Sequence, residues 1–218
     1  MLLTRNKYGK YYIPEDQFHR PVPCILRKGG VHEPETLKFV MENLKGRSLI
    51  TAWTYLGSFL PAFSAATSAM IYAFEPNPES YDYAARNITL NNLKNVSLKN
   101  VALSDSNTIL NLEITGGQGR KKGGAATIVS APSRATIKVK SIALDSILDY
   151  RTEVSIIQLD AEGYEDHILK GACKLITKQL PFIISESRVP HSLQRYLGDL
   201  GYKYKDYTLD RNYLLTPS

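Results

Sequence analysis

The sequence contains few cysteines and lacks a long apolar run. Its 218 residues include two cysteines, Cys24 and Cys173, and neither has a Cys or His at metal-ligand spacing, so no disulfide framework or zinc site is indicated. No stretch approaches the roughly 18 apolar residues that span a bilayer. The charged start, MLLTRNKYGKYY, lacks the apolar region of a signal peptide. We expect a soluble, cytoplasmic protein with reduced thiols and no metal centre.

The composition is that of one folded domain, with 43% hydrophobic and 22% charged residues. The net charge of +6 is unevenly spread. Residues 1–47 carry nine Lys/Arg against five acids, and residues 112–140 carry six against one. A basic excess can attract nucleic acid, sugar phosphates or anionic surfaces, but a solvated face that keeps the protein soluble is the simpler interpretation.

Short apolar runs alternate with helical patterns from Ser48 onward, which predicts an α/β fold with a mostly parallel central sheet and helices on both faces. Asn77 and Pro78 predict a helix start, because Asn caps helices and Pro suits their first position. Residues 1–47 are interpreted as an N-terminal cap, with a helix from about Pro34 to Leu44, on a single domain formed by residues 48–218. The predicted strands are 48–52, 69–75, 96–103, 154–160 and 181–187, with an outlying pair, 109–114 and 135–142, and a closing antiparallel hairpin of 202–209 and 212–217.

The loop over residues 116–134 is long, glycine-rich and basic. A loop of this length inside a compact domain is either functional, as a lid or binding loop, or disordered. Arg120, Lys121 and Lys122 could hold an anionic acceptor there, or could simply be solvated. The sequence leaves these interpretations open.

Ligands of open parallel sheets bind beyond the carboxyl ends of the strands, where helix N-termini and loop backbone converge. Residues 51–57, Glu75, residues 100–102 and Asp160 are expected along that edge. Glu75 ends the second strand about 20 residues beyond the first turn, where an acid can accept hydrogen bonds from both ribose hydroxyls of a nucleotide-like cofactor.

The run YAFEPNPESYDYAARNITLNNLKNVSLKNVALSD, followed by IIQLDAEGYEDHILKGA and FIISESR, resembles the FkbM-type family of S-adenosylmethionine-dependent methyltransferases. The resemblance covers roughly residues 48–187, in order and at fitting distances. It implies a Rossmann-like class I methyltransferase fold with a C-terminal antiparallel hairpin. It also implies S-adenosylmethionine as the cofactor and transfer of its methyl group to oxygen.

The first cofactor loop departs from the family pattern, D-x-G-A-N-x-G, because residues 51–57 read TAWTYLG and keep only the last glycine. The Thr51 and Thr54 hydroxyls can bond the cofactor's carboxylate or amine, and backbone N–H groups near Gly57 remain at a helix start. By resemblance, residues 100–102 flank the adenine. The residues expected to bind cofactor are Thr51, Thr54, Tyr55, Gly57, Glu75, Pro76, Asn100, Val101, Ala102 and Asp160.

Methyl transfer from a sulfonium mainly requires that the enzyme align the acceptor oxygen and remove its proton. Candidate bases are Asp160, Glu162, Glu186 and His167, and we favour Asp160 and Glu186 as the catalytic pair. An acid at a helix start is often only a dipole partner, and a helix His is often only a surface residue.

The leading interpretation is an O-methyltransferase acting on a hydroxyl of a sugar, glycan or small natural product. A nicotinamide dehydrogenase would need G-x-G-x-x-G in the first turn, which is absent. A catalytically decayed, methyltransferase-like binding module stays open, because Thr51 and Trp53 alter the cofactor loop. Nucleic acid is not the expected acceptor, because the tyrosines fall mostly in predicted strands rather than beside Lys/Arg runs. No membrane partner is expected.

Overall fold

The chain is described by a computed structural model for residues 1–149 and 151–218. Strands and helices alternate along it. In chain order the strands are β1 (Leu2–Arg5), β2 (Lys10–Ile13), β3 (Ser48–Ala52), β4 (Ile71–Phe74), β5 (Val96–Lys99), β6 (Ala102–Leu103), β7 (Ile109–Glu113), β8 (Thr127–Val129), β9 (Thr136–Ile142), β10 (Val154–Leu159), β11 (Phe182–Ser185), β12 (Tyr202–Leu209) and β13 (Asn212–Pro217). The helices are α1 (Pro21–Arg27), α2 (Pro34–Asn43), α3 (Leu60–Ala66), α4 (Pro78–Leu90), α5 (Leu144–Ile147), α6 (Glu165–Lys170), α7 (Cys173–Gln179) and α8 (His191–Asp199).

Seven strands form the central sheet in the order β5-β4-β3-β10-β11-β13-β12. The five strands from β5 to β11 are parallel, whereas β13 is antiparallel to both β11 and β12. The predicted parallel sheet and closing hairpin are therefore confirmed. From β3 the chain adds β4 and β5 on one side of the sheet, and it later adds β10 and β11 on the other side of β3. The carboxyl ends of β3 and β10 thus border a topological switch point, where open α/β sheets bind ligands.

Successive residues of the central strands face opposite sides of the sheet, because side chains alternate along a strand. Leu49 and Ile156 pack in a buried cluster with residues of α2 and α3. Ile50 and Ile157 pack in a second cluster with residues of α6, α7 and α8. The sheet is therefore covered by helices on both faces, as the sequence predicts.

The predicted third strand, 96–103, is divided between two sheets. Residues Val96–Lys99 pair with β4, whereas Ala102 and Leu103 pair in parallel with β9. Between them the Asn100 side chain donates to the carbonyl oxygens of Glu75 (2.8 Å) and Pro76 (3.3 Å), and the chain turns there. An apolar run continues through both halves, so the periodicity alone does not reveal this break.

The outlying pair of strands forms as predicted, with β7 and β9 antiparallel in a four-stranded sheet of order β6-β9-β7-β8. Part of the long loop supplies β8, which pairs with β7. Residues 116–126, which we call the strap, precede β8 and include two short 3-10 turns. Within the described residues, no helix combines the length and apolar character needed to cross a membrane.

The N-terminal segment is bound to α4 through two asparagine side chains. Asn87 exchanges hydrogen bonds with the backbone N–H (2.7 Å) and carbonyl (3.2 Å) of Tyr12. Asn91 does the same with Lys10, at 2.8 and 2.7 Å. The two asparagine amides therefore satisfy backbone groups of β2 that face α4. The division into a cap (1–47) and a domain (48–218) stays a prediction.

Two short helices, α6 and α7, follow β10 and are separated at Gly171. A Cβ atom at Gly171 would overlap the backbone carbonyl of Ser104. Only a residue without a side chain lets these two segments approach so closely.

We expect Gly171→Ala to destabilise the protein by about 1–3 kcal/mol, because overpacked backbone has to shift. At this chain length each kcal/mol lowers the melting midpoint by about 2–4 °C. The matched control is Gly198→Ala in α8, where a Cβ would meet nothing within 4 Å and helix propensity favours Ala by up to about 1 kcal/mol. Equal melting midpoints for the two variants would contradict the role assigned to Gly171.

Candidate functional site

A cavity of about 340 Å³ opens at the carboxyl ends of β3, β10 and β11. This volume is within the range of small-molecule pockets, roughly 300–1,000 Å³. Thr51 and Gln158, both buried, lie at its floor, and the Thr51 hydroxyl donates to the Gln158 Oε1 at 2.5 Å. The cavity therefore coincides with the switch point that the sheet order identifies.

Carboxylates dominate the charge of this cavity. Asp160 follows β10, Glu186 follows β11, and Glu162 lies in the loop before α6. Carboxylate oxygens of these three residues lie within 4.8 Å of one another, close enough to share one cation. Glu33 contributes a fourth carboxylate, and Arg20 and His32 are the basic side chains of the lining.

Burial makes three of these carboxyls, Glu33, Asp160 and Glu162, weaker acids than usual by raising each pKa. It raises the pKa of Glu33 to about 7 and that of Glu162 to about 7, and the nearby Glu186 charge adds to both effects. Burial, followed by the charge of Glu186, raises the pKa of Asp160 well above its usual value. Carboxyl groups that take up protons near neutral pH suit proton transfer at physiological pH.

Burial lowers the pKa of His32, so the neutral imidazole is favoured there. His32 and Glu33 were not identified from the sequence, because nothing local relates the turn before α2 to the sheet edge. The structure places them there through the C-terminal hairpin. Asp210 accepts from the N–H groups of Glu35 and Thr36 (both 2.8 Å), and Asn212 donates to Glu33 at 2.9 Å.

The first cofactor loop has left-handed backbone at two positions that carry aromatic side chains. Trp53 and Tyr55 have φ values of +56° and +51°, in the left-handed region that favours Gly and Asn. These are the two positions at which the family pattern has Gly and Asn. Gly57 has φ +69° and also packs closely on Leu60 and Ala84. The loop therefore has the backbone conformation that Gly and Asn favour, with two aromatic rings at those positions.

Both rings are held by hydrogen bonds. The Trp53 indole N–H donates to the carbonyl oxygen of Ala126 at 3.0 Å, and the Tyr55 hydroxyl donates to Gln17 at 2.6 Å. Trp53, Thr54 and Tyr55 all line the cavity. The strap and the N-terminal segment thus form the outer wall of the site.

Glu75 is buried and is hydrogen-bonded within the protein. Its carboxylate accepts from the N–H of Tyr55 at 2.7 Å and from the N–H of Asn77 at 2.9 Å. Burial raises its pKa to about 8, against the effect of these two hydrogen bonds. Glu75 does not line the cavity, because the Tyr55 backbone lies between them.

The structure therefore brings together only part of the predicted set. Thr51, Thr54, Tyr55 and Asp160 line the cavity together with Glu186. The remaining residues do not line it: Gly57, Glu75, Pro76 and Ala102 are buried, Val101 is half-buried, and Asn100 is exposed. Their role in cofactor binding stays a prediction.

The basic loop is largely neutralised by its own contacts. Lys121 forms ion pairs with Asp16 (2.8 Å) and Glu79 (2.7 Å), and Lys122 pairs with Glu113. Arg20 in turn donates to the backbone carbonyl of Lys121 at 3.1 Å. Two of the three predicted anion-binding side chains are thus paired with acids.

Sequence comparison identifies the family. The description "methyltransferase FkbM domain" applies to residues 52–204 of this chain. The chain belongs to the FkbM methyltransferase family. This family is one of methyltransferases, and S-adenosylmethionine is its cofactor. No curated protein matches the sequence.

Solved structures similar to this FkbM-family chain share its fold. A methyltransferase FkbM from Methylobacillus flagellatus KT aligns with a TM-score of 0.55 and 16% identity over 78% of this chain, which spans 43% of that longer protein. The METTL16 methyltransferase domain aligns at 0.53 and 14% over 94% of this chain and 71% of its own. A methyltransferase from Geobacter sulfurreducens aligns at 0.50 and 12% over 87% and 82%. The predicted class I fold is confirmed.

The raised carboxyl pKa values predict a pH-dependent stability. Glu162 is protonated in the folded state up to about pH 7 but ionises near 4.5 when unfolded. The folded state therefore binds more protons in this interval, so its contribution to the unfolding free energy falls as pH rises from about 4.5 to 7. Glu162→Gln should make urea-derived stability fall less steeply between pH 5 and 8.

The matched control is Glu153→Gln, because Glu153 precedes the opposite end of β10 and is exposed. That variant should keep the wild-type slope. A Glu162→Gln protein with an unchanged slope would show that Glu162 ionises normally in the folded protein.

Proposed function

We propose that this FkbM-family chain uses the cavity to transfer a methyl group from S-adenosylmethionine to a hydroxyl of a small molecule, sugar or glycan. The observation that carries the proposal is the pair of carboxyls, Asp160 and Glu186, facing the cavity at the ends of adjacent strands. Activity and acceptor are proposals for the whole protein, since the chain matches less than half of the FkbM structure.

The residues present fit one half of the cofactor better than the other. Thr51 and Thr54 offer hydroxyls, and the acid-lined cavity suits the positive sulfonium and ammonium groups of the methionine end. The Glu75 carboxylate expected to bind the ribose is enclosed by backbone hydrogen bonds. The methionine end therefore fits the cavity as it stands, and the adenosine end requires a rearrangement around Tyr55.

The side chains of this chain would orient the acceptor and take up its proton. Asp160 in its ionised form would receive the hydroxyl proton, and its raised pKa makes that carboxylate a stronger base than an ordinary Asp. Glu186 lies beside it and stabilises the protonated form by its charge. Bound S-adenosylmethionine would supply a methyl group that is already activated by the sulfonium charge.

A catalytically decayed binding module is the second candidate. The observation in its favour is that the Glu75 carboxylate is bonded to the Tyr55 N–H and does not line the cavity. Against it, a binding module has no need of carboxyls with raised pKa values lining one cavity.

Nucleic acid stays outside the expected acceptors. Lys121 and Lys122, in the basic loop, are paired with acids and so are less available to neutralise phosphates. The cytoplasmic location stays a prediction.

Cofactor binding can be tested without knowing the acceptor. At about 100 times its dissociation constant, S-adenosylmethionine should raise the unfolding free energy by about 2.7 kcal/mol. For a chain of this size the thermal midpoint should move up by about 5–10 °C. S-adenosylhomocysteine serves as the second ligand. No shift with either compound at millimolar concentration would favour the decayed module.

Catalysis can be tested by removing either carboxylate while keeping its shape. Once an acceptor is found by screening hydroxyl compounds, Asp160→Asn and Glu186→Gln should each lower kcat by about 10²–10⁴, the usual contribution of a general base. Because both acids also line the space expected for the cationic end of the cofactor, kcat is measured at saturating S-adenosylmethionine. Glu153→Gln is again the control and should keep wild-type kcat. Full activity in both cavity variants would rule out this carboxyl pair as the base.

A further inference from the structure

Tyr55 is the wall between the cavity and Glu75. Its ring lines the cavity, while its backbone N–H is bound to the Glu75 carboxylate at 2.7 Å. Both residues are buried. A ligand in the cavity therefore cannot reach the Glu75 carboxylate unless Tyr55 moves.

The strap packs directly against the Tyr55 ring. A Cβ at Gly124 would lie 3.1 Å from a ring carbon, and one at Gly123 would lie 2.9 Å from the hydroxyl oxygen. The Gln17 side chain accepts a hydrogen bond from the Tyr55 hydroxyl, at the end of the ring farthest from the backbone. Only glycines allow the strap to lie this close, so the ring and the strap form one contact surface.

The strap is anchored outside the ring by charge. The Lys121 ammonium lies between Asp16 of the N-terminal segment and Glu79 in the first turn of α4. Hydrogen bonds to these two acids raise the pKa of Lys121, so it stays charged. Lys121 therefore fastens the strap to the two elements that flank Tyr55.

We infer that Tyr55 and the strap form a gate that controls access of the adenosine half of S-adenosylmethionine to Glu75. In the closed arrangement described above, the cavity accepts the methionine end only. Opening moves the Tyr55 ring together with its backbone, which breaks the N–H bond to Glu75 and frees the carboxylate for the ribose. This inference rests on the proposed cofactor binding, and it makes Tyr55 a specificity-determining residue for that cofactor.

The conformation and contacts of Tyr55 favour a residue that can move over one that blocks Glu75 permanently. Tyr55 holds a left-handed backbone conformation that is unfavourable for a large side chain. Its ring is retained by contacts with the strap, and the strap is fastened by exposed ion pairs that are individually weak. Hydrogen bonds from Trp53 to Ala126 and from Arg20 to Lys121 also hold the strap, and Glu75 holds the Tyr55 N–H. Opening is therefore favourable when a bound ribose replaces the hydrogen bond that Glu75 loses.

The test uses two variants that open the gate in different ways. Tyr55→Asn installs the family residue and removes the ring. Lys121→Ala unfastens the strap at an exposed position, where folding is not at risk. Lys122→Ala is the matched control, because Lys122 pairs with Glu113 inside its own β-hairpin rather than with the flanking elements.

Thermal melts with S-adenosylmethionine, and separately with adenosine alone, give a readout independent of activity. If the open form is about a tenth of the wild-type population or less, both opening variants should bind S-adenosylmethionine at least about tenfold more tightly. Adenosine should stabilise Tyr55→Asn and leave the wild type unchanged. Limited trypsin digestion after Arg120 and Lys122 should be faster in Lys121→Ala than in the wild type.

The possible outcomes separate the gate from the proposed function. A wild-type thermal shift that both opening variants merely reproduce would overturn the gate while leaving cofactor binding intact. A shift in the variants with none in the wild type would support the gate and argue against wild-type activity. If no protein responds to any ligand, both ideas fail. Tighter binding in Lys122→Ala as well would also overturn the gate.

Discussion

The hydrogen bonds from the Tyr55 and Asn77 amides to the buried Glu75 carboxylate connect the end of β4 to the two segments that shape the site. One bond holds the first loop in its left-handed conformation, and the other holds the turn that starts α4. An unpaired carboxylate at this depth would be strongly unfavourable, so the two donors and the acid require one another.

The contacts of α4 extend this constraint to the periphery. Asn87 binds the β2 backbone on one side and the Leu56 carbonyl, next to Tyr55, on the other. The N-terminal segment that α4 holds supplies Gln17 and Asp16, and these bind Tyr55 and the strap. Residues distant in sequence therefore meet around one carboxylate, which explains why residues 1–47 take part in the site.

Features that depend on residues close in the sequence could be predicted, whereas features that depend on contacts between distant residues could not. Strands such as 202–209 and 212–217 match the structure at both ends, because local alternation and the turn at Asp210 and Arg211 determine them. The break at Asn100 was missed because it depends on side-chain hydrogen bonds to another strand end. His32 and Glu33 were missed for a similar reason, since only the C-terminal hairpin brings them to the cavity. Glu75 was correctly expected at a strand end, but its enclosure depends on the identity of residue 55.

Two arrangements at the cavity lower the stability of the folded protein, and a single ligand would relieve both. Four carboxyls share a partly desolvated space, and two bulky residues hold left-handed backbone. Each arrangement is unfavourable alone, by about 1–3 kcal/mol for strained backbone of this kind. A bound cation would relieve the first by restoring charge balance, and opening of the strap would relieve part of the second by freeing the Tyr55 ring. The same ligand, a sulfonium with an attached nucleoside, would satisfy both conditions. The charge of the cavity carboxyls and the backbone strain at Tyr55 would therefore both be relieved by binding of the same ligand.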